Sequence, residues 1–220
     1  MGNVEFNSVN AVTIEFTASA VDSVNATTFT FSSQSLGTVA SDRKIVVNVS
    51  GGEGGVFTVS SVTVAGNSAT QVVTSTLDGE TINDLWQVDV PTGSTGDVVV
   101  TWSGSKGNCG IGVYAVFGAA ASATDTGTSN ANPGTDTLNI PANGVAIAGY
   151  TLVGVGNNDR TTTWTNLNEN YDETQESAGG VTQTGAHSTF SNEQVALAIT
   201  GTPSGTTLTE AMSMASWGPA

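Results

Sequence analysis

Apolar and polar residues alternate with a period of two along most of the chain. Thr13-Ile14-Glu15-Phe16-Thr17 and Thr28-Phe29-Thr30-Phe31-Ser32 set every second side chain on one face, as in a half-buried strand whose successive residues point to opposite sides of a sheet. Ile45, Val47 and Val49 share a face opposite Lys44, Val46 and Asn48, and the glycine cluster that follows Ser50 ends the run. Val62 and Val64 lead into Gly66-Asn67, after which Gln71-Val72-Val73 resumes; glycine first predicts a hairpin with a two-residue II′ loop. Trp86, Val88 and Val90 line a strand that stops at Pro91, Val98, Val100 and Trp102 line the next, and the two are expected to pair. Ile111, Val113, Ala115 and Phe117 continue the alternation, with further strands predicted at Leu138 to Ile140, Val145 to Leu152, Thr161 to Leu167, Val195 to Ile199 and Leu208 to Trp217.

Many short strands separated by Gly, Asn, Ser and Thr turns predict an all-β chain, an antiparallel β-sandwich of the jelly-roll kind. Trp86, Trp102, Trp164 and Trp217 fall within predicted strands and are expected to fill the space between sheets. The low-complexity stretch from Ala119 to Gly134 either links two domains or carries the chain across one sandwich. Residues 1–27 then form an N-terminal attachment segment with one strand, and residues 28–220 the sandwich, with an internal crossover or subdomain break at 119–134. The alternation of Val4, Phe6, Val12, Ile14 and Phe16 marks that segment as the expected interface with a neighbouring chain.

Charge narrows the function classes. Four Lys and Arg against nineteen Asp and Glu give a net charge of −15, which repels phosphate backbones and anionic membrane surfaces. Charged residues make up only 10% of the chain, so the acidity reflects a shortage of bases rather than acidic tracts. No run approaches the roughly 20 apolar residues that cross a bilayer. The opening Met1-Gly2-Asn3-Val4-Glu5-Phe6 has neither a basic n-region nor an apolar h-region, so a secretory signal is not expected in it.

Candidate chemistry is thin. His187 is the only histidine and Cys109 the only cysteine, too few for a zinc site, and there is no nucleophile-elbow motif. Cys109 is read as a buried, inert thiol and His187 as a solvated or partly packed loop residue. Glu169, Asp172, Glu173 and Glu176 form the one acidic cluster, read as solvated loop charges rather than the positioned carboxylate pair of a glycosidase. Asp125, Asn130, Asn132 and Asp136, and separately Asn157, Asn158 and Asp159, offer the oxygens calcium takes in loops, yet Asn and Asp also favour turns on their own account. The expectation is a non-enzymatic protein with no catalytic, cofactor-binding or metal-binding residue and no cofactor.

The stretch Arg43-Lys44-Ile45-Val46-Val47-Asn48-Val49, then Val62-Thr63-Val64, Val90-Pro91-Thr92-Gly93-Ser94-Thr95-Gly96-Asp97-Val98-Val99-Val100-Thr101-Trp102 and Gly110-Ile111-Gly112-Val113-Tyr114-Ala115-Val116 together resemble a group of β-rich structural proteins encoded by tailed bacteriophages of marine and proteobacterial hosts. Ile140-Pro141-Ala142-Asn143-Gly144-Val145-Ala146-Ile147-Ala148, Trp164-Thr165-Asn166-Leu167-Asn168-Glu169-Asn170-Tyr171-Asp172 and Met214-Ala215-Ser216-Trp217-Gly218-Pro219-Ala220 are similar to the later strands of that group. The resemblance brings no catalytic residue. It implies a virion component, made in the host cytoplasm and released by lysis. The expected role is a capsid decoration or head-spike subunit, a homo-oligomer seated on the major capsid protein or other virion proteins. The alternatives are a tail-fibre or receptor-binding protein and a carbohydrate-binding module, in which Tyr114, Tyr171 or a solvent-facing Trp would stack on host surface glycans. Direct contact with nucleic acid or membrane is not expected.

Overall fold

The computed structural model describes residues 10–52, 55–154, 160–176 and 180–220, except for the side chain of Glu176. The described chain is all-β and antiparallel, 71% strand and without helix. Nine strands precede residue 118: β1 (Thr13–Asp22), β2 (Ala26–Ser35), β3 (Lys44–Gly51), β4 (Val59–Val64), β5 (Asn67–Ser68), β6 (Thr70–Leu77), β7 (Thr81–Asp89), β8 (Thr95–Lys106) and β9 (Cys109–Phe117). Eight follow: β10 (Asp125–Ser129), β11 (Gly134–Ile140), β12 (Gly144–Gly154), β13 (Thr162–Thr165), β14 (Asn168–Glu176), β15 (Val181–Phe190), β16 (Gln194–Pro203) and β17 (Thr207–Trp217).

They form two sandwiches with one topology. The first has an inner sheet β1-β9-β3-β7-β6 and an outer sheet β2-β8-β4-β5; the second has an inner sheet β10-β17-β12-β15-β14 and an outer sheet β11-β16-β13. With β5 and β6 counted as one interrupted strand, each unit has eight strands. The inner sheets then both read 1-8-3-6-5 and the outer sheets 2-7-4-5 and 2-7-4, the interleaved Greek keys of a jelly roll. The sandwich expected over residues 28–220 is thus two jelly rolls in series. Strand β1, expected within an attachment segment, is instead an edge strand of the first roll, paired along β9 from Thr13↔Phe117 to Asp22↔Cys109. A reciprocal pair of backbone bonds joins the rolls, Ala120 N–H to the Gly218 carbonyl and Ala220 N–H to the Gly118 carbonyl, each 2.9 Å.

Two expectations about pairing are corrected. Strands β7 and β8, expected to form a hairpin, lie in opposite sheets, and Trp86 and Val90 meet Val98, Val100 and Trp102 across the core. The Val90–Ser94 connection bridges sheets, as a Greek key requires of some neighbouring strands. The hairpin after β4 is present one residue earlier than expected: Thr63↔Ser68 and Val64↔Asn67 enclose Ala65-Gly66. Both loop residues have positive φ, 49° and 79°, the I′ rather than the II′ turn.

Three apolar cores stack in line. Ile45, Val47, Val49, Val113 and Trp102 fill the first roll, and Tyr150, Leu152, Met212, Met214 and Trp164 fill the second. The third core lies between the inner sheets, where Val46, Leu85, Tyr114 and Val116 pack on Val145, Ile147, Tyr171, Ala215 and Trp217. Every residue of β3 and β12 is therefore buried. All four tryptophans are buried as expected, although Trp217 fills the seam between rolls, its indole N–H donating to Gln87 Oε1 at 2.9 Å.

Truncating a large buried aromatic leaves a cavity that the surroundings fill only in part, a loss of about 3–5 kcal/mol. Trp217→Ala is expected to lower the stability of the whole chain by that amount in urea denaturation. A change under about 1 kcal/mol would mean that the seam is loosely packed.

Candidate functional site

Building the molecule outward from β1 shows where the expected interface residues go. Val12 is buried, and Ile14 and Phe16 are half-buried against the seam core. Phe16 stacks on Tyr171 at 5.3 Å between ring centroids and lies tilted on Tyr114 at 5.5 Å. These three side chains cover the seam within the chain, so their alternation needs no second chain to explain it. Val4 and Phe6 lie outside the described residues. Tyr114 and Tyr171 are buried in the same cluster, which removes both as platforms for stacking a sugar.

The seam is also polar. Asn48 Nδ2 donates to Tyr171 Oη at 2.9 Å, Ser50 Oγ to Gln183 Oε1 at 2.6 Å and Asn83 Nδ2 to Thr151 Oγ1 at 3.2 Å. Glycine lets these groups approach: a Cβ on Gly149 would lie 2.3 Å from the Asn48 amide, and one on Gly112 2.1 Å from Tyr171 Oη. His187 belongs to strand β15 rather than a loop. It is half-buried, with Nδ1 2.8 Å from Asn170 Oδ1, and burial pulls its pKa below the usual imidazole value.

The basic residues are the clearest electrostatic feature. Arg43, Lys44, Lys106 and Arg160, the four side-chain cations of the sequence, are 0%, 5%, 0% and 3% exposed. Arg43 donates to the carbonyls of Val90, Gly37, Thr38, Thr92 and Gly93. Lys106 serves the carbonyls of Gly55 and Glu80, and Arg160 those of Thr206 and Gly180. Lys44 pairs with Asp89 at 2.8 Å. Each cation ties loops or strands together, and the surface is left with no side-chain cation at all.

The expected acidic cluster lies on β14, a strand rather than a loop. Glu173 accepts from Ser19 of β1, whereas Asp172 turns the other way and accepts from the Thr162 N–H at 3.0 Å. Burial raises both Glu169 and Asp172 above the usual carboxylate range, the neighbouring Asp172 charge adding to it at Glu169, and Asp172 Oδ1 is buried without a hydrogen-bond partner. Asp125 and Asp136 spend their oxygens on the backbone N–H groups of Thr126, Asn139, Thr128 and Thr137. Among the described residues no three His, Cys, Asp or Glu side chains converge as metal ligands; Asn157, Asn158 and Asp159 lie outside those residues. Cys109 is fully buried and burial pushes its thiol pKa up, which leaves it inert.

One acid was missed from sequence. Asp84 of β7 shares a face with Ile82 and Trp86, points into the first roll and is 1% exposed. Its Oδ2 accepts from Gln71 Nε2 at 3.0 Å and from the Trp86 indole at 3.3 Å, while its Oδ1 has no hydrogen-bond partner. Burial pushes its pKa up to about 6, against the opposing effect of the neighbouring Thr74, Trp86 and Gln71 side chains. The carboxylate lines a cavity of about 260 Å³ whose other walls come from β6, β7 and the start of β4. The opening exists because the chain leaves the outer sheet after β5 and joins the inner sheet as β6. The readable signal was a lone carboxylate at the alternation position of a core strand.

The second roll carries the same pair with the partners exchanged. Thr74↔Asp84 joins β6 to β7, and Asp172↔Thr184 joins β14 to β15, the equivalent strands. An indole attends both, Trp86 donating to Asp84 and Trp164 donating to Thr184 Oγ1 at 3.1 Å. No protein-family model, curated protein or solved structure matches the chain.

Two outcomes follow from these charges. The folded pKa of Asp84 lies above its ordinary 3.8, so folding is favoured at this site below that value and loses the contribution as pH rises through about 6. A rise of this size corresponds to about 3 kcal/mol. Asp84→Asn is expected to be more stable than the parent near neutral pH, by up to that amount, with the gap closing toward about pH 4 in urea denaturation; a gap independent of pH would contradict the assignment. Trypsin, which needs an accessible Lys or Arg, is expected to leave the folded chain intact under conditions that digest the urea-unfolded chain at all four basic residues. Rapid native cleavage at any of them would show that its loop opens.

Proposed function

We propose that the protein is a non-enzymatic virion structural subunit, a capsid decoration or head-spike protein displayed on a phage particle. The observation that carries this reading is a two-roll body whose every side-chain cation is buried and spent on internal bonds. Such a body has no surface base to engage phosphate and presents an unbroken negative field. The described cavities are small, between about 230 and 330 Å³, and none gathers a nucleophile with a base. Jelly rolls serve as building blocks of capsids and of lectins, and a fold by itself does not select between uses; the sequence likeness to phage structural proteins favours the first.

On this reading the negative surface docks on a positively charged shell of major capsid protein, or on other virion proteins, as a symmetric oligomer. Glycan recognition in a tail fibre or a carbohydrate-binding module would need a platform other than Tyr114, Tyr171 or the four tryptophans, all of them buried.

Quantitative mass spectrometry of purified particles tests the proposal. A capsid decoration is expected at tens to hundreds of copies per particle, as the symmetry of a shell demands. A handful of copies would move the protein to the tail, and absence from the particle would overturn the virion role.

A further inference from the structure

We propose that the cavity beside Asp84 binds a primary alkylammonium group, as carried by a lysine side chain of a partner protein or by a free amine. The inference stands on this site alone and does not depend on the virion reading.

The chemistry of the lining selects the ligand. Asp84 lines the cavity, and its Oδ1 is buried without a donor, so an occupant that reaches the carboxylate must bring N–H or O–H groups to it. Thr58, Thr74 and Thr76 line the same cavity, and Val59 and Ile82 supply apolar surface. An ammonium has three donors for the oxygens and an alkyl stem for the apolar wall. Its single positive charge neutralises the single buried negative one, the condition for keeping a buried ion pair.

Other ligands fit less well. A divalent ion would find one carboxylate where it needs several, and the described residues hold no group of three acidic or imidazole ligands. A neutral sugar would leave the buried charge uncompensated and find no exposed aromatic face among the lining residues. The chain cannot fill the cavity itself, because Arg43, Lys44, Lys106 and Arg160 are bonded elsewhere.

Two probes separate the sources, n-butylammonium and Nα-acetyl-lysine methylamide, titrated near neutral pH at low salt while the carboxyl carbon of Asp84 is followed by NMR. Saturable binding in the millimolar range is expected for at least one probe, with a shift of the Asp84 resonance. It should weaken at least about tenfold in Thr58→Phe, which fills the exposed mouth and leaves Asp84 in place. The same loss is expected in Asp84→Asn, its fold checked by circular dichroism. Tighter binding of the lysine derivative would assign the site to a partner protein, and tighter binding of butylammonium to a free amine; either supports the proposal. No saturable binding by either probe, equal binding by both variants, or binding of calcium or methyl glucoside in place of the amines would overturn it.

Discussion

The contact between the two inner sheets leaves β3 and β12, and β9 and β17 along most of their length, with no side facing water, and each jelly roll depends on the other for cover. On one face of β3, Ile45, Val47 and Val49 enter the first roll; on the other, Val46 meets the second roll beside Asn48 and Ser50. Separation would expose Leu85, Val116, Ile147 and Trp217 together, an apolar patch of the kind that soluble monomers avoid. It would also break the bonds from Asn48, Ser50 and Asn83 to Tyr171, Gln183 and Thr151. Water could replace those bonds but not the packing, so apolar contact holds the seam closed and the polar pairs fix its register.

Burying two inner sheets has a consequence for charge. A buried cation must find several acceptors, and loops at the sheet ends supply them as carbonyls, five to Arg43 alone. Among the described residues most acids, with exceptions such as Asp84 and Glu210, stay near the surface, and the molecule carries a field of one sign. That field disfavours anionic partners and raises the local concentration of cations near any opening in the fold. Asp84 sits at such an opening, in a position where a carboxylate costs stability, which is a pattern found more often at functional sites than in inert cores.

The all-β antiparallel sandwich was legible because outer-sheet strands such as β2 and β8 expose one face and alternate cleanly. Strands β10, β14 and β15 were not, for a physical reason. Asn168-Glu169-Asn170-Tyr171-Asp172-Glu173 reads as a polar loop, yet its Tyr171 enters the seam and its Asp172 turns into the second roll; β15 buries Thr182, Gln183 and Thr184 in the same fashion. Alternation marks a face as apolar or polar and is silent on whether a polar face is wet. For that reason the face of Asn48 could be assigned but not its burial, Phe16 looked like a contact for another chain, and the doubling of the roll was left as one of two options for residues 119–134. Pairing of β7 with β8 was inferred from adjacency along the chain, which a Greek key breaks. The Asp84 site was hidden because a single carboxylate in a strand has no spacing motif, and only the departure of β6 from the outer sheet opens space beside it.

Differential scanning calorimetry of the full chain tests the welded seam most directly. One endotherm is predicted, with calorimetric and van't Hoff enthalpies that agree, as expected when all strands unfold as a single cooperative unit. Two resolved transitions, or a calorimetric enthalpy about twice the van't Hoff value, would show that the rolls unfold independently and would contradict the account.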